Sequence, residues 1–527
     1  MKWGIALAAA LGLAAPAHGQ VKSGVEDATI TSLSADLAAG RTTSVKAVTA
    51  YLARIAAMDR KGPKLNSIIT LNPDALWQAR ARDAERRAGK ARGPLHGVPI
   101  LLKDNIEAAG MPTTAGSLAL AHNDPGRDSP VAAALKAQGA IILGKTNLSE
   151  WANFRSERSM SGWSAVGGLT RNPYALDRTT CGSSSGSGAA VAAGFAPAAI
   201  GSETNGSIIC PSSMMGLVGL KPSIGLVPRT HIVPISHSQD TAGPMARSVR
   251  DVAILFSALI ASDPGDPTTA NAMSHAKDYA AALDPAAIRG MRIGVIRGGA
   301  QPDLLARFDT ALDVLKTAGA TLVEVTKPPM EGMGDASYDV LKYEFKADLD
   351  AYLATTREDQ VPARTLQSLI AFNAANRDRE MPLFGQDIFA MSQEKAPLTD
   401  PVYKAAREKS LRLAGKEGID AMLAADKLDL LVMVSYGPAW PSDTVWGDQY
   451  EGPSGSTGPA AIAGYPHLTV PMGAVRGLPV GLSFIGAAFT EQTLLNAGLA
   501  YEQAAGVTLK PDFRPTADTG PELEGAK

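Results

Sequence analysis

The chain has 527 residues, 45% of them hydrophobic and 19% charged, with 50 Lys and Arg against 52 Asp and Glu for a formal net charge of −2. That length supports a large buried core, and the near-neutral balance gives no reason to expect nucleic acid or an anionic membrane surface as a partner. Two cysteines cannot build a zinc ribbon and the seven histidines include no HExxH pair, so neither a metal nor a cofactor is expected.

Residues 1–19 differ from everything after them. Lys2 gives a short positive end, residues 5–15 are apolar, and Ala15-Pro16-Ala17-His18-Gly19 offers small residues for cleavage. The apolar run is too short to span a bilayer and reads as a secretory signal peptide. The mature protein, residues 20–527, is expected to be exported (periplasmic or secreted), free of the membrane after signal removal, and monomeric.

The pattern then predicts a helix over 31–39 stopped by Gly40, and another after Thr43, where Val45, Val48, Leu52 and Ile55 recur at helical spacing. A strand over 68–71, an amphipathic helix over 74–88 and an apolar strand over 98–102 follow. Next come a turn-rich passage over 113–117, a helix over 130–138 and a strand over 140–143. The run from Ala189 to Ile200 reads as a buried helix and a short strand, with a further helix starting just after Ser207 and taking Pro211 in its first turn. Later strands are expected at 292–296, 321–325, 428–434, 468–472 and 480–485, and helices near 303–318 and 490–504. Residues 330–425 read as a mostly helical insertion on the substrate side. Strands separated by helices predict an α/β class, as one large domain whose central mixed sheet is covered by helices on both faces.

The candidate chemistry gathers in residues 181–223, CGSSSGSGAAVAAGFAPAAIGSETNGSIICPSSMMGLVGLKPS. Two serine-bearing loops, 182–186 and 204–207, bracket a small-residue apolar segment, which a flexible linker would not contain. Upstream, VPILLKDN delivers Lys103 at the end of an apolar strand. Two hydroxyls and a buried amine can make a serine nucleophile that needs no histidine. Cys181 and Cys210 flank these loops and read as small buried thiols lining the site in preference to a disulfide, which an exported protein also permits.

Two other motifs are present in form. Gly139–Thr146 matches a phosphate-binding loop, but its four intervening residues are an apolar strand, which cannot turn its amides toward phosphates. Gly182–Gly186 fits G-x-S-x-G, which would make Ser184 the nucleophile of a strand-to-helix elbow; the polar, proline-containing segment 172–180 before it is a poor strand. Lys145 and Lys221 read as structural and His96 as packing, while Trp163 and Tyr174 fit either a cleft wall or the scaffold.

GPLHGVPILLKDNI at 93–106, TTAGS at 113–117, CGSSSGSGAAVAAG at 181–194, GSETNGSIICPS at 201–212, GLVGLKPS at 216–223 and DTAGPMARS at 240–248 together resemble the amidase signature family, with a core over about 93–250. The SSSGS and SETNGS forms, the cysteine beside each and the export signal are most similar to its bacterial peptide amidases. The resemblance implies Lys103 as base, Ser183 as bridging serine after a cis peptide from Gly182, and Ser207 as nucleophile. It also implies an oxyanion hole from the amides of Thr204, Asn205, Gly206 and Ser207, and support of Lys103 by Ser184. For lysine to act as base, its pKa must fall from about 10.4 toward neutrality, at a cost of about 3–4 kcal/mol. Asn205 and Ile209 stand where most members carry Gly and Arg, so the acyl pocket is expected to differ. The implied function is hydrolysis of the C-terminal carboxamide of peptides. A small-molecule or peptide amide is the expected partner. The alternatives are a broad aliphatic or aryl amidase, or an exported peptide-binding protein with an inactive site.

Overall fold

The computed structural model describes residues 24–450 and 456–518; the expected signal peptide lies outside them. The first strands are β1 (Ile68–Leu71), β2 (Pro99–Lys103), β3 (Ile141–Thr146), β4 (Trp163–Ser164) and β5 (Gly168–Leu169). They are followed by β6 (Ala198–Glu203), β7 (Val218–Lys221), β8 (Thr241–Ala246) and β9 (Arg292–Val295). The last are β10 (Thr321–Glu324), β11 (Leu430–Val434), β12 (His467–Val475) and β13 (Leu478–Ile485). Eleven of these make one sheet in the order β1-β3-β2-β6-β8-β7-β12-β13-β11-β9-β10, and β4 pairs with β5 as a separate ribbon.

The sheet is mixed. β2 lies parallel to both β3 and β6, whereas β6, β8, β7 and β12 run antiparallel in succession. β2, β3, β6, β7, β8, β11 and β13 are buried along their whole length, so they read as continuous apolar or small-residue runs and not as alternating ones. Helices such as Val249–Leu259, Pro302–Thr317 and Glu491–Ala505 bury an apolar stripe against the sheet.

Most expected elements are present within a few residues, among them the helix Ser44–Met58, capped by the Thr43 hydroxyl on the Lys46 N–H. β7, β8 and the helix Val249–Leu259 were not expected. Between β10 and β11 the chain forms helices, including Met333–Ala354 and Pro401–Ala414.

One register positions the chemistry. Leu102 of β2 sits opposite Ile200 of β6 in parallel pairing, so Lys103 falls beside Gly201, and Ser202 follows one residue on at the carboxyl ends of these neighbouring strands, within reach of the lysine amine.

Candidate functional site

Lys103 is fully buried, and its Nζ has three oxygens in reach. They are Ser183 Oγ at 2.7 Å, Ser202 Oγ at 2.9 Å and the Ser202 carbonyl at 3.1 Å. An ammonium would donate to all three; a neutral amine has two N–H groups for Ser202 and one lone pair, which then faces the Ser183 hydroxyl. Burial pushes the Lys103 pKa down to about 7, opposed by the negative charges of Asp240 and Glu203. Ser202 Oγ is itself fixed by Asn105 Nδ2, which donates to it at 2.9 Å.

Ser183 follows a cis peptide from Gly182. A Cβ at Gly182 would stand 2.1 Å from Ser149 Oγ, so no larger residue fits there without movement. The Ser183 carbonyl accepts the Ser149 N–H at 3.1 Å, and the next N–H, that of Ser184, donates to the Ser207 carbonyl at 3.1 Å. That second bond brings the two serine loops together. Among the described residues, no hydrogen bond joins Ser183 Oγ to Ser207 Oγ in this state. The Ser184 hydroxyl does not meet Lys103: it donates to the Ser202 carbonyl at 3.1 Å and accepts the Ser202 N–H at 3.2 Å. Its support of the lysine runs through Ser202, and a hydroxyl so occupied and fully buried is no elbow nucleophile.

Ser207 closes the turn that leaves β6, and it is 8% exposed. The amides of Thr204, Asn205, Gly206 and Ser207 donate to no other group among the described residues. This cluster of unspent donors suits a developing oxyanion. Gly206 has φ of +87°, the left-handed region that glycine enters freely, and a Cβ there would lie 2.5 Å from the Tyr436 hydroxyl. Asn205 is exposed at the tip of the turn. Asp240 braces the turn from below, its carboxylate accepting Thr204 Oγ1 at 2.5 Å and the N–H groups of Ile235 and Ser236 at 2.8 and 2.9 Å. Burial raises its pKa to about 6.

The helix after Ser207, Ile209–Met214, spans six residues. Its positive end is not free for a ligand, because the Glu203 carboxylate already takes the N–H groups of Ile208 and Ile209 at 2.7 and 3.0 Å. The amides left for a ligand are those of the turn itself. Cys181 and Cys210 are a second correction: they form a disulfide with a Cα–Cα distance of 5.9 Å, possible because the two loops lie back to back.

The remaining candidates lie away from the Lys103–Ser183 contact, and Tyr174 borders a separate cavity of about 650 Å³. Lys145, in β3, sits 3.2 Å from Asp104 and donates to Thr113 Oγ1 at 2.9 Å. Lys221 donates to the Pro222 carbonyl at 3.0 Å, and His96 pairs with the Arg82 carbonyl at 2.9 Å. Trp163 packs edge-on to Phe384, and Tyr174 is buried. Sequence reasoning missed Asn105, Ser202, Glu203 and Asp240, although all four lie inside stretches already singled out. Space for a small molecule adjoins them: a cavity of about 390 Å³ bordered by Ser202, Thr204, Asp240, Val233 and Tyr352.

The chain matches the family model described as Amidase over residues 46–495. It is 37% identical over 487 residues to a glutamyl-tRNA(Gln) amidotransferase subunit of Roseiflexus castenholzii, spanning 89% of this chain and 94% of that protein. Among solved structures, native peptide amidase from Stenotrophomonas maltophilia is 49% identical with a TM-score of 0.87, covering 93% of this chain and 100% of that one. A peptide amidase in complex with the competitive inhibitor chymostatin is 50% identical with a TM-score of 0.89, covering 92% and 99%.

Proposed function

The chain belongs to the amidase family, hydrolysing amide C–N bonds, and from that membership we propose that it is an exported peptide amidase that converts C-terminal carboxamides of peptides to free acids and ammonia. The observation that carries the reading is the buried Lys103 amine 2.7 Å from Ser183 Oγ, on a loop hydrogen-bonded to the Ser207 turn with its four unspent amides. In this scheme neutral Lys103 takes a proton from Ser183 as Ser183 takes one from Ser207, and Ser207 Oγ attacks the amide carbon. The carbonyl oxygen becomes an oxyanion beside the amides of residues 204–207. The proton returns through Ser183 to the leaving nitrogen, ammonia departs, and water hydrolyses the Ser207 ester by the same relay.

The peptide carboxamide preference rests on the 49% identity to a peptide amidase along the whole of that structure, against 37% for the tRNA amidotransferase relative. Export rests on the signal-like residues 1–19 and is consistent with a disulfide, which persists in oxidising compartments. The second reading is the broad aliphatic or aryl amidase that the sequence leaves open.

Ammonia release from peptide amides, free amino-acid amides and anilides separates these readings. A peptide amidase turns over the first set at least tenfold more efficiently than the others; equal rates would favour the broad enzyme. Ser207→Ala should abolish both turnover and fluorophosphonate labelling, and residual labelling at another serine would refute the assignment.

A further inference from the structure

The loops carrying Ser183 and Ser207 are joined covalently as well as by the Ser184–Ser207 hydrogen bond. Cys181 lies two residues before Ser183, and its partner Cys210 lies three residues after Ser207. Each cysteine is held again by its own surroundings. The Cys181 carbonyl accepts the Ser185 hydroxyl at 2.7 Å and its N–H donates to Thr179 Oγ1 at 3.0 Å. The Cys210 N–H donates to the carbonyl of Gly206, the residue before Ser207, at 2.8 Å. Cys181 also has φ of +55°, uncommon for a residue with a side chain, so its loop adopts a conformation that its neighbours must maintain. The crosslink therefore bears on the one separation that proton transfer between the two hydroxyls depends on, and misplacement by about 1 Å can cost on the order of 100-fold in rate.

We propose that the Cys181–Cys210 disulfide is a positioning element of the catalytic apparatus, holding the Ser183 loop against the Ser207 turn so that turnover, more than folding, depends on its oxidation state. This rests on the roles proposed above for Ser183 and Ser207. Both cysteines are almost fully buried, at 2% and 1% exposure, so a reductant reaches them only when the loops part. A dithiol then attacks one sulfur as thiolate, forms a mixed disulfide, and closes to its own cyclic disulfide. Two electrons pass to the protein, which is left with two thiols.

The test compares the full-length wild type with the Cys181→Ala/Cys210→Ala double variant on one peptide amide, reading kcat, KM, the pH profile, the rate of fluorophosphonate acylation and thermal unfolding. The expected result is a folded variant with KM within about twofold of wild type and with kcat and acylation both roughly 10- to 100-fold lower. A variant with reduced melting temperature but wild-type kcat overturns the proposal, leaving the disulfide a staple of the fold. Should the double variant fail to fold, wild type treated with dithiothreitol is followed by kcat and far-UV circular dichroism together. Activity lost ahead of the dichroism supports the proposal, and simultaneous loss overturns it. A wild type inert to both amide and fluorophosphonate fails earlier, at the assignment of Ser207, and takes this proposal with it.

Discussion

A buried amine with three oxygen neighbours uses them differently in its two protonation states, and Lys103 sits where both are accessible near neutral pH. Only the neutral form can take the Ser183 proton. The expected kcat/KM therefore rises with pH through a limb near 7 and then levels, and a pH-rate profile with no ionisation between pH 6 and 8 would contradict this. Asp240 pulls the limb upward, because its negative charge favours the ammonium. Asp240→Asn should thus move the limb to lower pH, while weakening the grip on Thr204 that its carboxylate supplies. Stability carries the opposite face of the same depression. The folded state holds Lys103 near 7 against an ordinary value of 10.5, so between those values the unfolded chain binds more protons and stability increases with pH. The cost is complete below about 7, amounts to roughly 5 kcal/mol at the limit, and vanishes above about 10.5. Lys103→Met should remove that dependence together with about 10²–10⁴-fold of turnover, measurable as denaturant midpoints at pH 7 and pH 9.5.

At the scale of elements, the turn between β6 and the helix Ile209–Met214 is held from three sides, by Glu203 within it, Asp240 below it and Tyr436 against Gly206. Gly206→Ala places a methyl group where the Tyr436 hydroxyl stands and asks alanine for a φ of +87°. The expected outcome is a folded protein with kcat lowered about 100-fold or more, since misdirecting one oxyanion donor costs that much. Adding Tyr436→Phe relieves the clash but not the dihedral, so recovery should be partial; a fully active single variant would show that the turn tolerates what its geometry forbids. The turn was legible in the sequence because serine, glycine and asparagine announce it, and so was β2, an apolar strand ending in one lysine. β8 was not, because a central strand containing Gly243-Pro244 defies the usual exclusion of proline from sheet interiors. The same blindness hid Asp240, which stands immediately before that strand. Ser202 and Asn105 were hidden differently: each is an ordinary polar residue until β2 and β6 pair in register. The cysteine pair was misread because a bridge depends on a Cα spacing that only the folded loops create.

Across the whole molecule, the helical region between β10 and β11 is tied to the site by buried polar contacts as well as by an apolar cluster that packs Phe345, Leu349 and Phe389 against Trp151, Phe154 and Val233. Glu344 accepts the Ser238 hydroxyl at 2.9 Å and the Tyr403 hydroxyl at 2.7 Å, holding the loop that leads to Asp240. Tyr352 donates to Glu107 at 3.0 Å, and Arg127 binds the same carboxylate at 2.7 Å. The third tie is Arg155, fully buried between Glu150 and Glu380 with its guanidinium 4.3 Å from the Phe384 ring centre. It also donates to the Glu380 carbonyl at 2.6 Å and the Gly385 carbonyl at 3.1 Å. Glu380 in turn accepts the Ser117 hydroxyl at 3.0 Å and the Leu118 N–H at 2.6 Å, so one cation organises segments more than 200 residues apart. Burial lifts the Glu150 carboxyl well above the ordinary range, and only the nearby Arg155 charge and the Ala165 N–H oppose that. Removing the cation leaves two buried carboxyls facing each other without compensation, a change that typically costs about 3–5 kcal/mol. Arg155→Ala should therefore lower unfolding stability by that order in denaturant titration. Arg155→Met with both Glu150→Gln and Glu380→Gln should recover part of the loss, because an uncharged set of similar volume no longer carries the desolvation penalty. An Arg155→Ala protein that unfolds at the wild-type midpoint would mean that this tie carries none of the connection, which the Glu344 and Tyr352 contacts and the apolar packing then supply.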